Sequence, residues 1–227
     1  MKIYLIIYQW EEEHEYYIIR AAWSKGTQAK IIVDSQNIPH ISTGDLFRQA
    51  DQDQTKLGIL AKKYMIKGEL VPDEVTIGIA LSRLGKSDCE KGFLLDGFPR
   101  NLEQAIALRE YLNRKSSNID HVIYVNVDEV VLLQRLTGRR VCSDCGKTYH
   151  IVNNPPVKVG VCDNCFSSLV QREDDKEMTV KERLRVNKEL TMLLCDFYQA
   201  ENTLRVVDGM LPIYDVTEEI LKIFGNR

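Results

Sequence analysis

No apolar run in these 227 residues is long enough to cross a bilayer: the longest is Ile3 to Tyr8, against roughly twenty residues for a spanning helix. No small-residue cleavage site follows that run before Glu11-Glu12-Glu13, so it does not read as a secretory leader and a cytoplasmic protein is expected. Basic excess is missing as well. Thirty Lys and Arg against 33 Asp and Glu leave a net charge of −3, without the basic field that nucleic-acid binders use. Neither nucleic acid nor membrane is expected as a partner, and any phosphate must be held locally. A disulfide framework is also lacking. Four of the six cysteines fall in metal-type spacing, and Cys89 and Cys195 stand alone as small buried hydrophobes. The most telling absence is of glycine. Lys25-Gly26-Thr27 ends like a loop that wraps phosphate oxygens, yet Ile19-Arg20-Ala21-Ala22-Trp23-Ser24 precedes it. Such a loop points several backbone N–H groups inward, and only a residue without Cβ lets the main chain come so close. The pattern G-x-x-x-x-G-K is therefore not met.

What is present fits one sizeable core with room for small inserted lobes, at 44% hydrophobic and 28% charged residues. β-Branched stretches at Pro39–Ser42, Gly92–Asp96, His121–Val127 and Leu204–Val207 predict short buried strands. Apolar residues recurring at three and four predict helices over Thr27–Gln36, Leu102–Asn113, Asp128–Leu136, Val180–Gln199 and Val216–Phe224. Strands spaced by helices imply an α/β fold with a parallel sheet covered on both faces. From about Thr137 to Asp175, Cys, Gly, Pro and Asn replace the periodic pattern over a stretch too long for a plain connection. An inserted lobe with its own stabiliser is expected there.

That stabiliser is legible. Cys142-x-x-Cys145, sixteen residues and Cys162-x-x-Cys165 form two knuckles able to offer four thiolates tetrahedrally to zinc. Gly146, Gly160 and Pro155-Pro156 suit tight turns, and with few large apolar side chains nearby the lobe depends on metal-ligand energy, on the order of 10 kcal/mol. Four protein thiolates leave no open coordination position, so the metal is structural. A zinc ribbon can also bind nucleic acid, but the acidic residues of Arg172-Glu173-Asp174-Asp175 argue against a polyanion there.

Four further strings complete the pattern: Ser42-Thr43-Gly44-Asp45-Leu46-Phe47-Arg48, Gly92 to Arg100 (GFLLDGFPR), Leu136-Thr137-Gly138-Arg139-Arg140 and Gln171-Arg172-Glu173-Asp174-Asp175. In their order and separation, with the cysteine pairs between the last two, they resemble adenylate kinase in its long-lid, zinc-containing bacterial form. The resemblance runs from Lys25 to the C-terminus. It implies a P-loop nucleoside monophosphate kinase fold, with core segments 25–41, 72–137 and 176–227, an AMP-binding segment 42–71 and a four-cysteine zinc lid 138–175. It also implies a monomer that performs Mg²⁺-dependent transfer of a phosphoryl group from ATP to AMP, giving two ADP. The chemistry agrees, because a loose transition state spreads charge over equatorial oxygens and calls for several fixed guanidinium groups.

By that resemblance Lys25, Gly26 and Thr27 hold ATP phosphates, Arg48 and Arg100 hold the AMP phosphate, Arg139 reaches ATP from the lid hinge, and Arg172 and Arg183 bridge donor and acceptor. Asp96 orders water on Mg²⁺. Thr43, the chain at Glu69, Leu70 and Val71, the turn Gly97-Phe98-Pro99 and Gln104 contact AMP. Thr148, Tyr149 and the chain at Met210 and Leu211 flank the ATP adenine. Any of these arginines alone would be a solvated surface charge, and Asp96 alone a turn cap.

The resemblance also bears on the missing glycines, since members of the family open with a start methionine, a short strand and G-x-P-G-A-G-K-G-T. Trp23 has the single codon TGG, and one letter later GG plus any base encodes glycine. Shifted throughout, with permitted codons, the stretch from the end of His14 to Ser24 reads Met-Asn-Ile-Ile-Leu-Leu-Gly-Leu-Pro-Gly-Ala. Trp10-Glu11-Glu12-Glu13 can encode a purine-rich ribosome-binding sequence just ahead of that ATG. Residues 1–14 therefore read as translated leader and 15–24 as an out-of-frame loop, with a few bases lost before Lys25. The rival reading makes Lys2–Tyr8 the first strand and Gln9–Ser24 a divergent loop. If the chain is made as written, each residue forced left-handed costs about 1–2 kcal/mol. Weak ATP binding and very low turnover, or a nucleotide-binding relative without activity, are then expected.

Overall fold

The computed structural model describes residues 2–10, 14–19, 29, 32–33 and 37–225. Six strands form the central sheet: β1 (Lys2–Trp10), β2 (His14–Ile19), β3 (His40–Ser42), β4 (Leu94–Asp96), β5 (His121–Asn126) and β9 (Leu204–Asp208), in the order β3-β4-β2-β1-β5-β9. Neighbours β3 and β2 both run parallel to β4, with Ser42 and Ile19 opposite Asp96. On the far side β5 and β9 are parallel, Tyr124 facing Val206. The expected parallel sheet is thus present with one difference: β1 runs antiparallel to both its neighbours, β2 and β5. His14–Ile19 is itself a strand, where the rival reading has a loop. Its Tyr-Tyr-Ile-Ile core is as β-prone as the apolar strand of the shifted frame.

Alternation along the strands explains how the sheet is covered on two faces. Leu94, Ile123 and Val125 point to one side, where they pack with Ala29, Ile32, Leu132, Leu184 and Ile220. Leu95, Val122 and Tyr124 point to the other, against Phe98, Leu108, Leu194 and Tyr198. Successive side chains of a strand face opposite ways, so a strand apolar at every position is buried twice.

The helices are α1 (Thr43–Gln52), α2 (Lys56–Met65), α3 (Asp73–Leu84), α4 (Leu102–Asn113), α5 (Glu129–Thr137), α6 (Glu177–Ala200) and α7 (Ile213–Gly225). Their starts are set by side chains that accept the orphan N–H groups of a first turn. Thr55 accepts from Gly58 N at 3.0 Å, Asn101 from Gln104 N at 3.0 Å, and Asp128 from Val130 N at 2.8 Å. α6 and α7 each begin three residues ahead of the periodic pattern. Of the expected helix over Thr27–Gln36, Ala29, Ile32 and Val33 are helical, and the remainder lies outside the described residues. α1 and α2 make up the segment assigned to AMP and carry a small core of their own around Phe47, Ala61 and Val71. The lid is a three-stranded antiparallel sheet, β7-β6-β8, of β6 (Arg139–Cys142), β7 (Thr148–His150) and β8 (Leu169–Val170).

Candidate active site

Three regions of the chain converge on one cleft lined by Gly44, Arg48, Met65, Gly68, Glu69, Arg100, Arg139, Arg172, Asp174 and Arg183. All five arginines marked in the sequence are therefore together. Arg48 projects from α1, Arg100 from the turn after β4, Arg139 from the start of β6, Arg172 from the end of the lid and Arg183 from α6. Gathering cations in a half-buried cleft is costly. Burial first, and then the neighbouring Arg183, push Arg100 down to about 10, while burial and Arg48 push Arg172 down to about 10. Burial likewise lowers Arg183.

Carboxylates offset part of this repulsion. Asp45 pairs with Arg48 and lies 3.9 Å from Arg172, and Asp174 lies 3.4 Å from Arg183 and 3.9 Å from Arg48. Burial pushes the Asp174 carboxyl up, but Arg183 and the other arginines override it and hold it below the usual range. Arg139 grips the fully buried Asp175 with two parallel N–H···O bonds, the Nε one at 2.7 Å. Burial opposes the Arg139 charge most, yet the Asp175 carboxylate raises it above the ordinary guanidinium value. In the sequence these aspartates only argue against a polyanion partner. In the fold Asp174 and Asp175 are counter-ions of the cluster, a pairing that composition alone does not reveal.

Beside the cleft lies a pocket lined by Thr43, Gly44, Phe47, Met65, Glu69, Leu70, Val71, Thr76, Arg100 and Gln104. It brings together the residues expected to hold an acceptor base. The turn Gly97-Phe98-Pro99 supports it: Thr43 Oγ1 and Arg100 Nε both donate to the Gly97 carbonyl, at 3.0 and 2.8 Å. Gly97 has φ of +77°, and a Cβ there would meet Thr43 Oγ1 at 3.3 Å, so glycine is required. Phe98 is fully buried beneath the turn.

Asp96 closes β4 at the carboxyl edge of the sheet, fully buried, with Oδ2 3.5 Å from His40 Nε2. Ligands of doubly wound sheets collect at this edge, and a hard oxygen donor there suits Mg²⁺ and its waters. Lys25, Gly26 and Thr27 lie outside the described residues. Leu211 packs half-buried against the first core, and Met210 is exposed in the turn after β9, where its N–H donates to Asp208 at 2.8 Å.

In the lid the sulfur atoms of Cys142, Cys145, Cys162 and Cys165 lie within 4.8 Å of one another. Zn–S bonds of about 2.3 Å place tetrahedral sulfurs about 3.8 Å apart, so the four fit a tetrahedral ion of zinc's size. Tyr149 belongs to this small core: it is buried against Cys162, and its hydroxyl accepts from Asp163 N at 2.8 Å. Thr148 beside it is exposed. Two residues that sequence reasoning passed over hold the hinge. Gln171 Nε2 donates to Thr137 O at 2.9 Å and to Asp175 O at 3.1 Å, stapling the lid's entry to its exit. His150 packs so closely on Gly138 that a Cβ there would stand 2.2 Å from its Nε2.

A family model described as adenylate kinase matches residues 21–203. The chain is 56% identical over 203 residues to an adenylate kinase of Bacillus licheniformis, covering 89% of this chain and 94% of that protein. An adenylate kinase of Geobacillus sp. is 54% identical over 202 residues, with 89% and 94% covered. One of Bacillus subtilis is 55% identical over 202 residues, with 89% and 93% covered.

Proposed function

This chain belongs to the adenylate kinase family, and from that premise we propose how its residues divide the work of moving a phosphoryl group from ATP to AMP to give two ADP. The observation that carries the reading is the convergence of Arg48, Arg100, Arg139, Arg172 and Arg183 on one cleft. A loose phosphoryl-transfer transition state leaves the protein little covalent chemistry, so fixed charge and positioning do most of the catalysis. Arg48 and Arg100, on the side of the base pocket, hold the AMP phosphate. Arg139 meets the ATP phosphates from the hinge, and Arg172 and Arg183 span the two nucleotides. Planar guanidinium forks donate two hydrogen bonds each to phosphate oxygens, and nucleotide phosphates would offset the neighbouring positive charge that, after burial, lowers Arg100 and Arg172.

The AMP base enters the pocket of Thr43, Leu70, Val71 and Gln104, while Thr148, Tyr149 and the chain at Met210 and Leu211 border the ATP adenine. Asp96 would hold Mg²⁺ through its waters, and the ion would neutralise phosphate charge. Zinc is the metal of the four thiolates, with a structural role. Lid and AMP-binding segment close over the nucleotides and exclude water, which keeps ATP from hydrolysis. The protein works as a monomer in the cytoplasm. Among the described residues no helix is long and apolar enough to cross a membrane.

A second reading has its own observation: the residues before Lys25 are not glycines. The polypeptide as written binds ATP weakly and turns over very slowly, although its acceptor side is complete. The match to the family model begins at residue 21 and leaves residues 1–20 outside it, which supports setting most of the stretch 1–24 apart. A coupled ADP assay tests both points, with this chain, its N-terminus confirmed by mass spectrometry, beside a version with the glycine loop restored. Phosphorylation of AMP by the restored version alone is the expected result. Normal turnover by the chain as written ends the second reading, and preference for UMP, CMP or GMP over AMP as acceptor ends the first.

A further inference from the structure

Gln104 lies in the wall of the base pocket with its side-chain amide already bonded at both ends. Its Oε1 accepts from the backbone N–H of Arg100 at 2.7 Å, and its Nε2 donates to Asp73 Oδ1 at 2.6 Å. Asp73 is the first residue of α3, thirty-one positions away in sequence. Asn101 donates to both oxygens of the same carboxylate, at 2.9 and 2.8 Å, and also caps α4 through Gln104 N. The partners fix which end of the amide is nitrogen. A carboxylate only accepts and a backbone N–H only donates, so turning the amide over would set oxygen against oxygen and N–H against N–H.

An amide has two N–H hydrogens and two carbonyl lone pairs. One of each is used here, leaving one N–H and one lone pair for a ligand. The Watson–Crick edge of adenine offers a donor at the 6-amino group beside an acceptor at N1. A 6-oxopurine offers the reverse, an acceptor at position 6 and a donor at N1. A freely turning glutamine would satisfy either edge, whereas a fixed one matches a single order.

We propose that Asp73 is a positioning residue for acceptor specificity: it holds the Gln104 amide in one orientation, so that the pocket distinguishes a 6-aminopurine monophosphate from its 6-oxo counterpart. The inference rests on the reading of this pocket as the AMP site. Asp73 lines neither the arginine cleft nor the base pocket and acts through Gln104, which does line the latter.

Calorimetric titration of the full chain with AMP and with inosine monophosphate tests it, since acceptor binding does not require the loop before Lys25. The unsubstituted chain is expected to favour AMP. Asp73→Asn keeps the size of the side chain but can donate as well as accept, so a turned-over amide is opposed only by the Arg100 N–H and no longer by position 73 as well. The ratio of the two dissociation constants should then fall about tenfold, the weight of one charge-assisted hydrogen bond. Asp73→Glu, which can only accept, should retain more of the preference than Asp73→Asn. A folded Asp73→Asn chain, verified by circular dichroism, that keeps the full preference overturns the proposal. Failure of the unsubstituted chain to bind AMP overturns the AMP-site reading, and this inference with it.

Discussion

Arg139 and Asp175 show what a single side chain does in this cleft, because the carboxylate is completely buried and its guanidinium side chain is 9% exposed. Removing the cation leaves Asp175 with Arg183 at 3.9 Å, and an uncompensated buried charge costs about 3–5 kcal/mol. Arg139→Ala should therefore lower unfolding stability in urea by about 3 kcal/mol as well as weakening ATP binding. Adding Asp175→Ala should restore part of the stability and none of the binding, which separates the structural effect from the catalytic one. Gly138 carries a different constraint. Gly138→Ala drives a methyl group to within 2.2 Å of the His150 ring, so the hinge must shift, and the lid should lose amide-exchange protection before the core does. Arg48, Arg100, Arg139 and Arg172 were legible in sequence because each sits in a short string of fixed spacing, and Arg183 through the family resemblance alone. The pairings of Asp73 with Gln104 and of Gln171 with Thr137 were not, since each joins separate segments and no local pattern announces a contact across thirty positions.

The lid sheet has strands of four, three and two residues around a core of little more than Cys142, Tyr149 and Cys162. Such a sheet buries too little apolar surface to stand alone. Stripping the metal with a strong chelator should abolish amide protection across residues 139–170 and leave β4, β5 and β9 protected, as hydrogen exchange can read strand by strand. pH acts on the same element through His150. Its Nδ1 accepts from Val152 N at 3.1 Å and Asn153 N at 3.0 Å, so protonation there would set three donors against one another. Burial first, and then the positive charges of Arg140 and Arg135, lower its pKa. A base with a lowered folded pKa contributes stability that is whole above about pH 6.5 and drains away as pH falls below it. His150→Gln should flatten the pH dependence of lid protection between about pH 7 and 5. The thiolate knuckles and the composition change revealed this element in sequence. Its register did not show, because strands this short leave no period to count.

At the scale of the whole molecule, β1 is the one strand of the described sheet that opposes the rest. Without it the order becomes β3-β4-β2-β5-β9, and β2 and β5 can pair as parallel neighbours. A chain of residues 14–227 should accordingly fold with a melting temperature no lower than that of the full chain. It should also bind AMP unchanged, because the described residues of the acceptor pocket all lie between Thr43 and Gln104. A fall of several degrees would show that β1 is integral to the core. The β-branched stretches made four strands readable, whereas the placement of β1 depends on which strands are left unpaired, a property of the assembled sheet. The staple at Gln171 has a consequence for motion on this scale. Arg139 and Arg172 stand where the flap's chain enters and leaves, close to the pivot, whereas Val157, Val159 and Phe166 ride exposed farther along the lobe. A rotation that sweeps the far end through a long arc barely displaces groups beside its axis. On the proposed division of roles, guanidinium groups at such an axis would keep their place on phosphate while the far end of the flap swings aside to admit the base.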